Sequence, residues 1–329
     1  MILVRAPLRI PLGGGGTDLP SYYEKSGGFI LSAAINKYVY LYVNRPAADN
    51  LLRLKYSKYE QVNSAAEIQH DLVRPTLQHF GLDNNLEIVS MADVPDGTGM
   101  GSSGRYLVAL LMALSELKKD RMPTQELAEK ACDIEMNLAG HPVGKHDHYI
   151  AAFGGFTCLE IDKSGGVDVS ALDISISTVE SLRSNLLLFY TGINRSSRGV
   201  LAEQKQDTED GNKVVVDSLD FTKELGYRIK EALRGGDVDL FGNLLHEHWE
   251  NKKRRSGKIS NPSIDRWYEI SRENGALGGK VIGAGGGGFL MVYCPPPVKN
   301  KVRDSLVAEG LQEMAFDFDD EGTKVMVNF

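Results

Sequence analysis

Pro95-Asp96-Gly97-Thr98-Gly99-Met100-Gly101-Ser102-Ser103-Gly104 is the stretch on which the reading of this chain turns. It follows an apolar run, Leu86-Glu87-Ile88-Val89-Ser90-Met91, and precedes a helical pattern with Leu107, Leu110, Leu111, Leu114 and Leu117 on one face. A strand, a glycine loop and a helix N-terminus in succession form a phosphate-binding device. The unpaired backbone N–H groups and the positive end of the helix dipole both face the anion. The loop is not a Walker A motif, which needs a lysine before its hydroxyl residue, whereas Gly101 stands before Ser102 here. Nor is it a dinucleotide fingerprint, since Pro95 heads it and two serines close it.

Two more glycine clusters flank this loop in sequence: Gly13 to Gly16 before Thr17-Asp18, and Gly283-Ala284-Gly285-Gly286-Gly287-Gly288. Glycine costs order in a helix or strand, so its repeated use implies backbone that turns tightly or approaches a ligand closely. The 329 residues suffice for two lobes, and the net charge of −7 argues against nonspecific nucleic-acid binding while leaving room for a local basic pocket. Cys132, Cys158 and Cys294 are odd in number and scattered, which suggests neither a disulfide framework nor a CxxC metal site. A reducing cytoplasm is the expected location. Met1-Ile2-Leu3-Val4-Arg5 is too short an apolar run for a signal peptide, and no stretch reaches the length of a membrane span.

The order of elements reads as α+β. Strands are expected over 29–43, 51–56, 156–161 and 186–190, where β-branched and aromatic residues cluster. Helices are expected over 65–80, 103–117 and 123–138, then over 213–233, 238–251 and 263–274. Short strands follow at 279–282, 289–293 and 324–327. The Ser-, Asp- and Gly-rich segment 163–181 is the expected lobe boundary, giving domains over 1–180 and 181–329.

Three segments occur in an order that resembles the GHMP kinase superfamily. Arg5-Ala6-Pro7-Leu8-Arg9-Ile10-Pro11-Leu12 running into Gly14-Gly15-Gly16-Thr17-Asp18 resembles the galactokinase substrate segment. Pro95 to Gly104 resembles the family's ATP loop, and Lys280 to Phe289 its C-terminal glycine loop. The Gly-Gly-Gly-Thr-Asp run together with Lys145-His146-Asp147-His148-Tyr149-Ile150-Ala151-Ala152-Phe153-Gly154-Gly155-Phe156 looks most like the bacterial heptose 7-phosphate kinases within that superfamily. The resemblance implies an N-terminal lobe of the ribosomal protein S5 domain 2 type, a ferredoxin-like C-terminal lobe and an active site between them. It implies ATP and Mg²⁺ as cofactors, a sugar phosphate as the small-molecule partner with no nucleic acid or membrane, and leaves a homodimer open.

Residue by residue, the resemblance assigns ATP binding to Pro95, Gly97, Gly99, Gly101, Ser102, Ser103, Gly104, Gly285 and Gly286, and Mg²⁺ to Ser103 and Glu135. Asp147 becomes the general base or the group that orients the acceptor hydroxyl, and Arg9 its cationic partner. Gly15, Gly16, Thr17, Asp18 and Gly144 join Asp147 as sugar contacts, with Asp18 accepting from ring hydroxyls. Galactokinases carry Glu-His where Gly15-Gly16 stand here, so the loss of both side chains leaves room for a longer sugar.

A sugar phosphate also needs a cationic clamp, for which Arg195 is the first candidate, with Arg198 and the run Lys252 to Arg255 behind it. Two features depart from the family pattern. Arg105 places a cation in the first helical turn after the glycine loop, against the helix dipole, so it faces an anionic ligand or folds back on a nearby acidic side chain. His146 and His148 stand beside Asp147 where glutamines are expected, on a segment read as extended or turn; one of them can bond the sugar, but they are not read as a metal site. His246-Glu247-His248 does not match HExxH and reads as part of a helix surface.

The leading expectation is an ATP-dependent kinase that phosphorylates the anomeric hydroxyl of a heptose 7-phosphate to the 1,7-bisphosphate, on the route to a nucleotide-activated heptose. The alternatives are a sugar 1-kinase for a free hexose of the fucose or galactose type or for another extended sugar phosphate, and a noncatalytic sugar sensor on the same fold.

Overall fold

The computed structural model describes residues 1–194 and 198–329. Its first half runs β1 (Ile2–Gly13), α1 (Pro20–Ser26), β2 (Gly28–Asn44), β3 (Leu52–Lys55), β4 (Tyr59–Val62), α2 (Val73–His79), β5 (Leu86–Ala92) and α3 (Ser102–Lys118). Then come α4 (Thr124–Asp133), a π-helical turn (Ile134–Leu138), α5 (His146–Phe153), β6 (Phe156–Ile161) and β7 (Val167–Ala171). The second half runs α6 (Ile176–Asn185), β8 (Leu186–Tyr190), α7 (Arg198–Glu209), α8 (Lys213–Arg234), α9 (Val238–Lys253) and α10 (Pro262–Glu273). It closes with β9 (Gly278–Val281), β10 (Phe289–Tyr293), α11 (Pro296–Ala308), β11 (Gln312–Glu313) and β12 (Lys324–Asn328).

The first sheet has the order β12-β1-β2-β5-β3-β4, with β6 on β2 and β7 on β6. The 17-residue length of β2 lets two strands share one of its edges end to end: β6 pairs with Gly28 to Ala33, and β5 with Val39 to Asn44. β1 carries two prolines, which cannot donate to a ladder. Its register with β2 shifts just after Pro7 and again just after Pro11, and β12 pairs only with Ile2 to Arg5. The far half of β1 therefore has an edge that side chains can use, and Arg9 and the carbonyl of Pro7 lie on it.

Helix α3 packs along β1 and β2, burying Leu107, Leu110, Leu111 and Leu114, the apolar face read from the sequence. The second sheet, β11-β8-β10-β9, is antiparallel throughout. Alternate residues of β8 serve two cores, Leu186 and Leu188 in the first and Leu187 and Phe189 in the second. β10 divides the same way, with Phe289, Met291 and Tyr293 on one face and Leu290 and Val292 on the other. A strand covered on both faces reads as a continuous apolar run, and these two do. Truncating one such leucine to alanine removes roughly 2–5 kcal/mol.

Three features depart from the sequence reading. The 65–80 segment is a short 3-10 turn at Ala65–Glu67 followed by α2, and not one helix. The segment around Asp147 is the helix α5, not extended chain. The last strand returns to the first sheet beside β1, so the second half of the chain completes the first lobe. Among the described residues no helix is long and apolar enough to cross a membrane.

Candidate functional site

One cleft is lined by the turn after β1, the loop into α3, the start of α5, the loop after α9 and the loop between β9 and β10. The loop into α3 and the loop after β9 meet backbone to backbone. A Cβ on Gly99 would lie 2.8 Å from the Ile282 carbonyl oxygen, and one on Gly283 would lie 2.4 Å from that of Gly99. Both glycines are thus demanded by contact between the two loops. Gly101 caps α3 with φ 75° and no side-chain cap, leaving the first N–H groups of this 17-residue helix open to an anion.

The space a Cβ would take at Gly101 is filled by an ion pair. Such a Cβ would lie 1.9 Å from Arg105 Nη1 and 2.4 Å from Asp147 Cγ. Arg105, fully buried, donates from Nη1 to Asp147 Oδ1 at 3.1 Å and to the Gly101 carbonyl at 2.6 Å, and from Nε to the Pro7 carbonyl at 2.9 Å. Arg9 forms an ion pair with the same Oδ1 at 2.7 Å and donates to the Gly99 carbonyl at 2.8 Å. Burial opposes ionisation of Asp147, but the two guanidiniums outweigh it and hold the carboxyl well below the usual carboxylate range. Asp147 also occupies the first turn of α5, where the dipole favours a negative charge. Arg105 opposes the dipole of α3 and folds back on an acidic side chain, and that side chain is Asp147.

Asp18 faces the cleft across Gly144, where a Cβ would lie 2.0 Å from Asp18 Oδ2. It accepts from the His146 backbone N–H at 3.0 Å. Burial raises its pKa, the His146 N–H lowers it and repulsion from Asp147 raises it further, with a net rise. Thr17 is fully buried and does not line the cleft. Its hydroxyl lies 2.9 Å from the carbonyls of Gly14 and Phe29 and accepts from the Phe29 N–H, so it fastens the turn instead of meeting a sugar. Beside Gly15 the space is open, whereas a Cβ on Gly16 would meet Arg255 Nη1 at 2.9 Å and Gln204 Nε2 at 3.0 Å. The room expected at Gly16 is taken by these two side chains.

Glu135 sits in the π-helical turn, a local widening common at functional sites. It is 1 % exposed and does not itself line the cleft. His148 Nε2 lies 2.7 Å from its Oε2 and His141 Nδ1 3.2 Å from its Oε1; His141 Nε2 in turn reaches Asp71, which also pairs with Arg198. Burial would raise the Glu135 pKa, but the bonds from His141, His148 and the Ser103 hydroxyl bring it down to about 2. Burial pulls the His148 pKa down, yet Cys132 and Glu135 push it well above the ordinary histidine value.

A divalent cation fits this donor set. The glutamate is ionised, Ser103 stands beside it and lines the cleft, and a carboxylate has about four lone-pair sites, of which the histidines occupy two.

Of the expected nucleotide residues, Gly97, Gly99, Gly101, Ser102 and Ser103 line the cleft. Pro95 accepts from the Thr98 hydroxyl at 3.0 Å, which closes the loop. Gly104 packs against Asp147, with a Cβ there 3.0 Å from that of Asp147, and Gly285 and Gly286 pack on the Ile259 carbonyl. Arg195 lies outside the described residues. Of the basic run after Trp249, Lys252 and Arg255 line the cleft, whereas Lys253 pairs with Glu250 at 2.8 Å. Lys280, read only as the first residue of the third glycine segment, also lines the cleft, as does His248, which is buried and not the helix-surface residue expected. His146, one of the two histidines expected to be able to bond the sugar, lines it as well. The one available signal was the lysine two residues before Ile282, at the mouth of the third glycine cluster.

The profile of the GHMP kinase N-terminal domain matches residues 62–155 and that of the GHMP kinase C-terminal domain residues 229–313, together more than half of the chain. The D-glycero-α-D-manno-heptose 7-phosphate kinase of Campylobacter jejuni subsp. jejuni serotype O:2 is 27% identical across 98% of both chains. The crystal structure of a D-glycero-D-manno-heptose 1-phosphate kinase from Bacteroides thetaiotaomicron superposes with a TM-score of 0.83, at 26% identity over 100% of both chains. The Streptococcus pneumoniae phosphomevalonate kinase superposes with a TM-score of 0.78 over 97% of this chain and 100% of its own. At 15% identity, that last match shows the fold alone.

Proposed function

The chain belongs to the GHMP kinases, phosphotransferases that pass a phosphoryl group from ATP to an alcohol, and from that premise we propose that it phosphorylates the anomeric hydroxyl of a heptose 7-phosphate to give the 1,7-bisphosphate. Its full-length relatives mark it as a sugar kinase. The names of the two heptose kinases differ in the position of the phosphate but share a seven-carbon sugar that carries one.

The observation that carries the reading is the junction at Asp147. One carboxylate joins the substrate strand through Arg9 to the nucleotide loop through Arg105 and Gly101. Both guanidiniums take Oδ1, which leaves Oδ2 for the acceptor hydroxyl. A carboxylate held this far down is a weak base in the ground state, so Asp147 first orients the hydroxyl by accepting its hydrogen bond. As the acceptor oxygen bonds to the γ-phosphorus and the bond to the bridging oxygen breaks, the hydroxyl becomes acidic and its proton passes to Asp147. A loose transition state asks little more of the protein than this positioning and charge stabilisation.

Arg9 and the N-terminus of α3 face the transferring group from two sides. Ser103 and Glu135 would hold Mg²⁺, which neutralises charge on the nucleotide phosphates. The three buried free cysteines support a reducing, cytoplasmic setting.

The test is ADP release across a panel of sugars and sugar phosphates. Heptose 7-phosphate should show the highest specificity constant. A higher constant for free fucose or galactose would replace this substrate with a hexose, and no ADP release on any sugar would point to the sensor reading.

A further inference from the structure

Two cations of the second half of the chain enter the cleft with no carboxylate beside them. Arg255, just past α9, is 6 % exposed. It donates to Ser218 Oγ at 2.9 Å, to the Gly15 carbonyl at 3.1 Å and to Thr222 Oγ1. Lys280, on β9, is 2 % exposed and donates to the Leu12 carbonyl at 3.1 Å and to His248 Nδ1 at 3.0 Å. Leu12 and Gly15 bracket the start of the substrate turn, so both cations grip the same short piece of backbone from across the cleft. Among the described residues neither makes an ion pair, in contrast with Arg9 and Arg105.

A buried charge without a counter-charge costs several kcal/mol. Here the cost is compounded by crowding. Burial, with repulsion from Lys252, Arg9 and Arg255, drives the Lys280 ammonium well below its ordinary pKa, and burial brings Arg255 down to about 10. Such an arrangement calls for an anion.

A second observation points to a ligand independently. His146 is 6 % exposed and lines the same cleft beside Asp18 and Asp147, and its Nε2 is buried with no hydrogen-bond partner among the described residues. Burial and the neighbouring Arg9 keep the ring neutral, able to donate to or accept from a hydroxyl. Cations, an acceptor carboxylate and an unsatisfied imidazole lining one cleft describe a site for a polyhydroxylated chain with a dianionic end.

We propose that Arg255 and Lys280 seat the distal phosphate of the substrate, while Asp18 and His146 hold the hydroxyls between that phosphate and the acceptor oxygen at Asp147. The inference rests on the sugar-phosphate reading above. Arg255 approaches Gly15 of the sugar turn, away from the contact between the two nucleotide loops, and its planar fork suits two phosphate oxygens at once.

The experiment measures specificity constants of the full-length protein for heptose 7-phosphate and the free heptose, in the wild type and in Arg255→Lys and Lys280→Gln. Inorganic phosphate serves as a probe inhibitor. Each substitution should cut the preference for the phosphorylated sugar by about 10- to 100-fold, with KM for ATP unmoved. In the wild type, inorganic phosphate should compete with the sugar phosphate and not with ATP. Full preference in both variants, or competition with ATP, would overturn the proposal and give these cations to the nucleotide. Equal use of both sugars by the wild type would instead overturn the sugar-phosphate reading. Should either variant lose its folded melting transition, the inhibition pattern of the wild type decides alone.

Discussion

Asp18 and Asp147 line one cleft, yet their environments push their pKa values in opposite directions. Asp147 has two guanidiniums on one oxygen and is pulled far down; Asp18 has a single backbone N–H and is pushed up by burial and by Asp147 itself. Burial acts on both, so burial does not decide the outcome. A formal charge within hydrogen-bond distance does, because in a low-dielectric pocket it outweighs the desolvation that a neutral N–H only partly offsets. The cleft thus holds one carboxylate kept ionised by two guanidiniums and one softer carboxylate that takes a proton more readily.

The sharpest way to break this contrast is Asp147→Asn. The amide keeps the shape but strips Arg9 and Arg105 of their shared counter-charge. Turnover should fall by about 10²- to 10⁴-fold while nucleotide binding survives in a direct titration. The apparent melting temperature should also drop by several degrees, since breaking a buried pair from one side costs roughly 3–5 kcal/mol. Unchanged turnover would remove Asp147 from the reaction.

Arg105→Met tests which partner sets the low pKa. The loss in kcat should be roughly 10- to 100-fold, from misplacement of the carboxylate. The pH profile separates positioning from mere packing. A carboxylate with a depressed folded pKa is ionised above that value, so the wild-type kcat should stay level as the pH is lowered from neutral into the acidic range. Removing one guanidinium raises that pKa and brings an acid limb into view, and Arg105→Lys should lower it again. A profile identical to the wild type would leave Arg105 a packing residue only.

Asp18→Asn should have the smallest effect on catalysis and the opposite effect on stability. The raised pKa means that the ionised form costs folding energy above that pKa, a cost that vanishes as the pH falls and the carboxyl takes a proton. The variant should therefore melt about 2 °C higher at neutral pH, with the gain shrinking in acid. KM for the sugar should rise about tenfold as a charged acceptor is lost. A lower melting temperature at neutral pH would show that Asp18 stabilises the fold and would erase the contrast.

The sequence by itself determined the strand, glycine loop and helix around Gly97 to Gly104, the apolar face of α3 and the strand runs of β8 and β10. These signals are local, since a helical or strand period and a cluster of glycines are written in adjacent residues. Resemblance to a known family also marked Arg9, Asp18 and the two nucleotide loops through the order of three segments, and Asp147 through its place after Glu135. Only the tertiary structure decided how charges are shared. Arg105 and Asp147 lie 42 positions apart and meet in a space that Gly101 leaves empty. Arg255 and Gly15 lie 240 apart, and Lys280 and Leu12 lie 268 apart. The same holds for Thr17, which reads as a sugar ligand beside Asp18 but turns inward to the Phe29 carbonyl, and for β12, which crosses back to β1. A charge or a hydroxyl carries no record in sequence of the partner it finds across a lobe. Coulomb and hydrogen-bond energies depend on distance in space, and that distance is set only once both cores have packed.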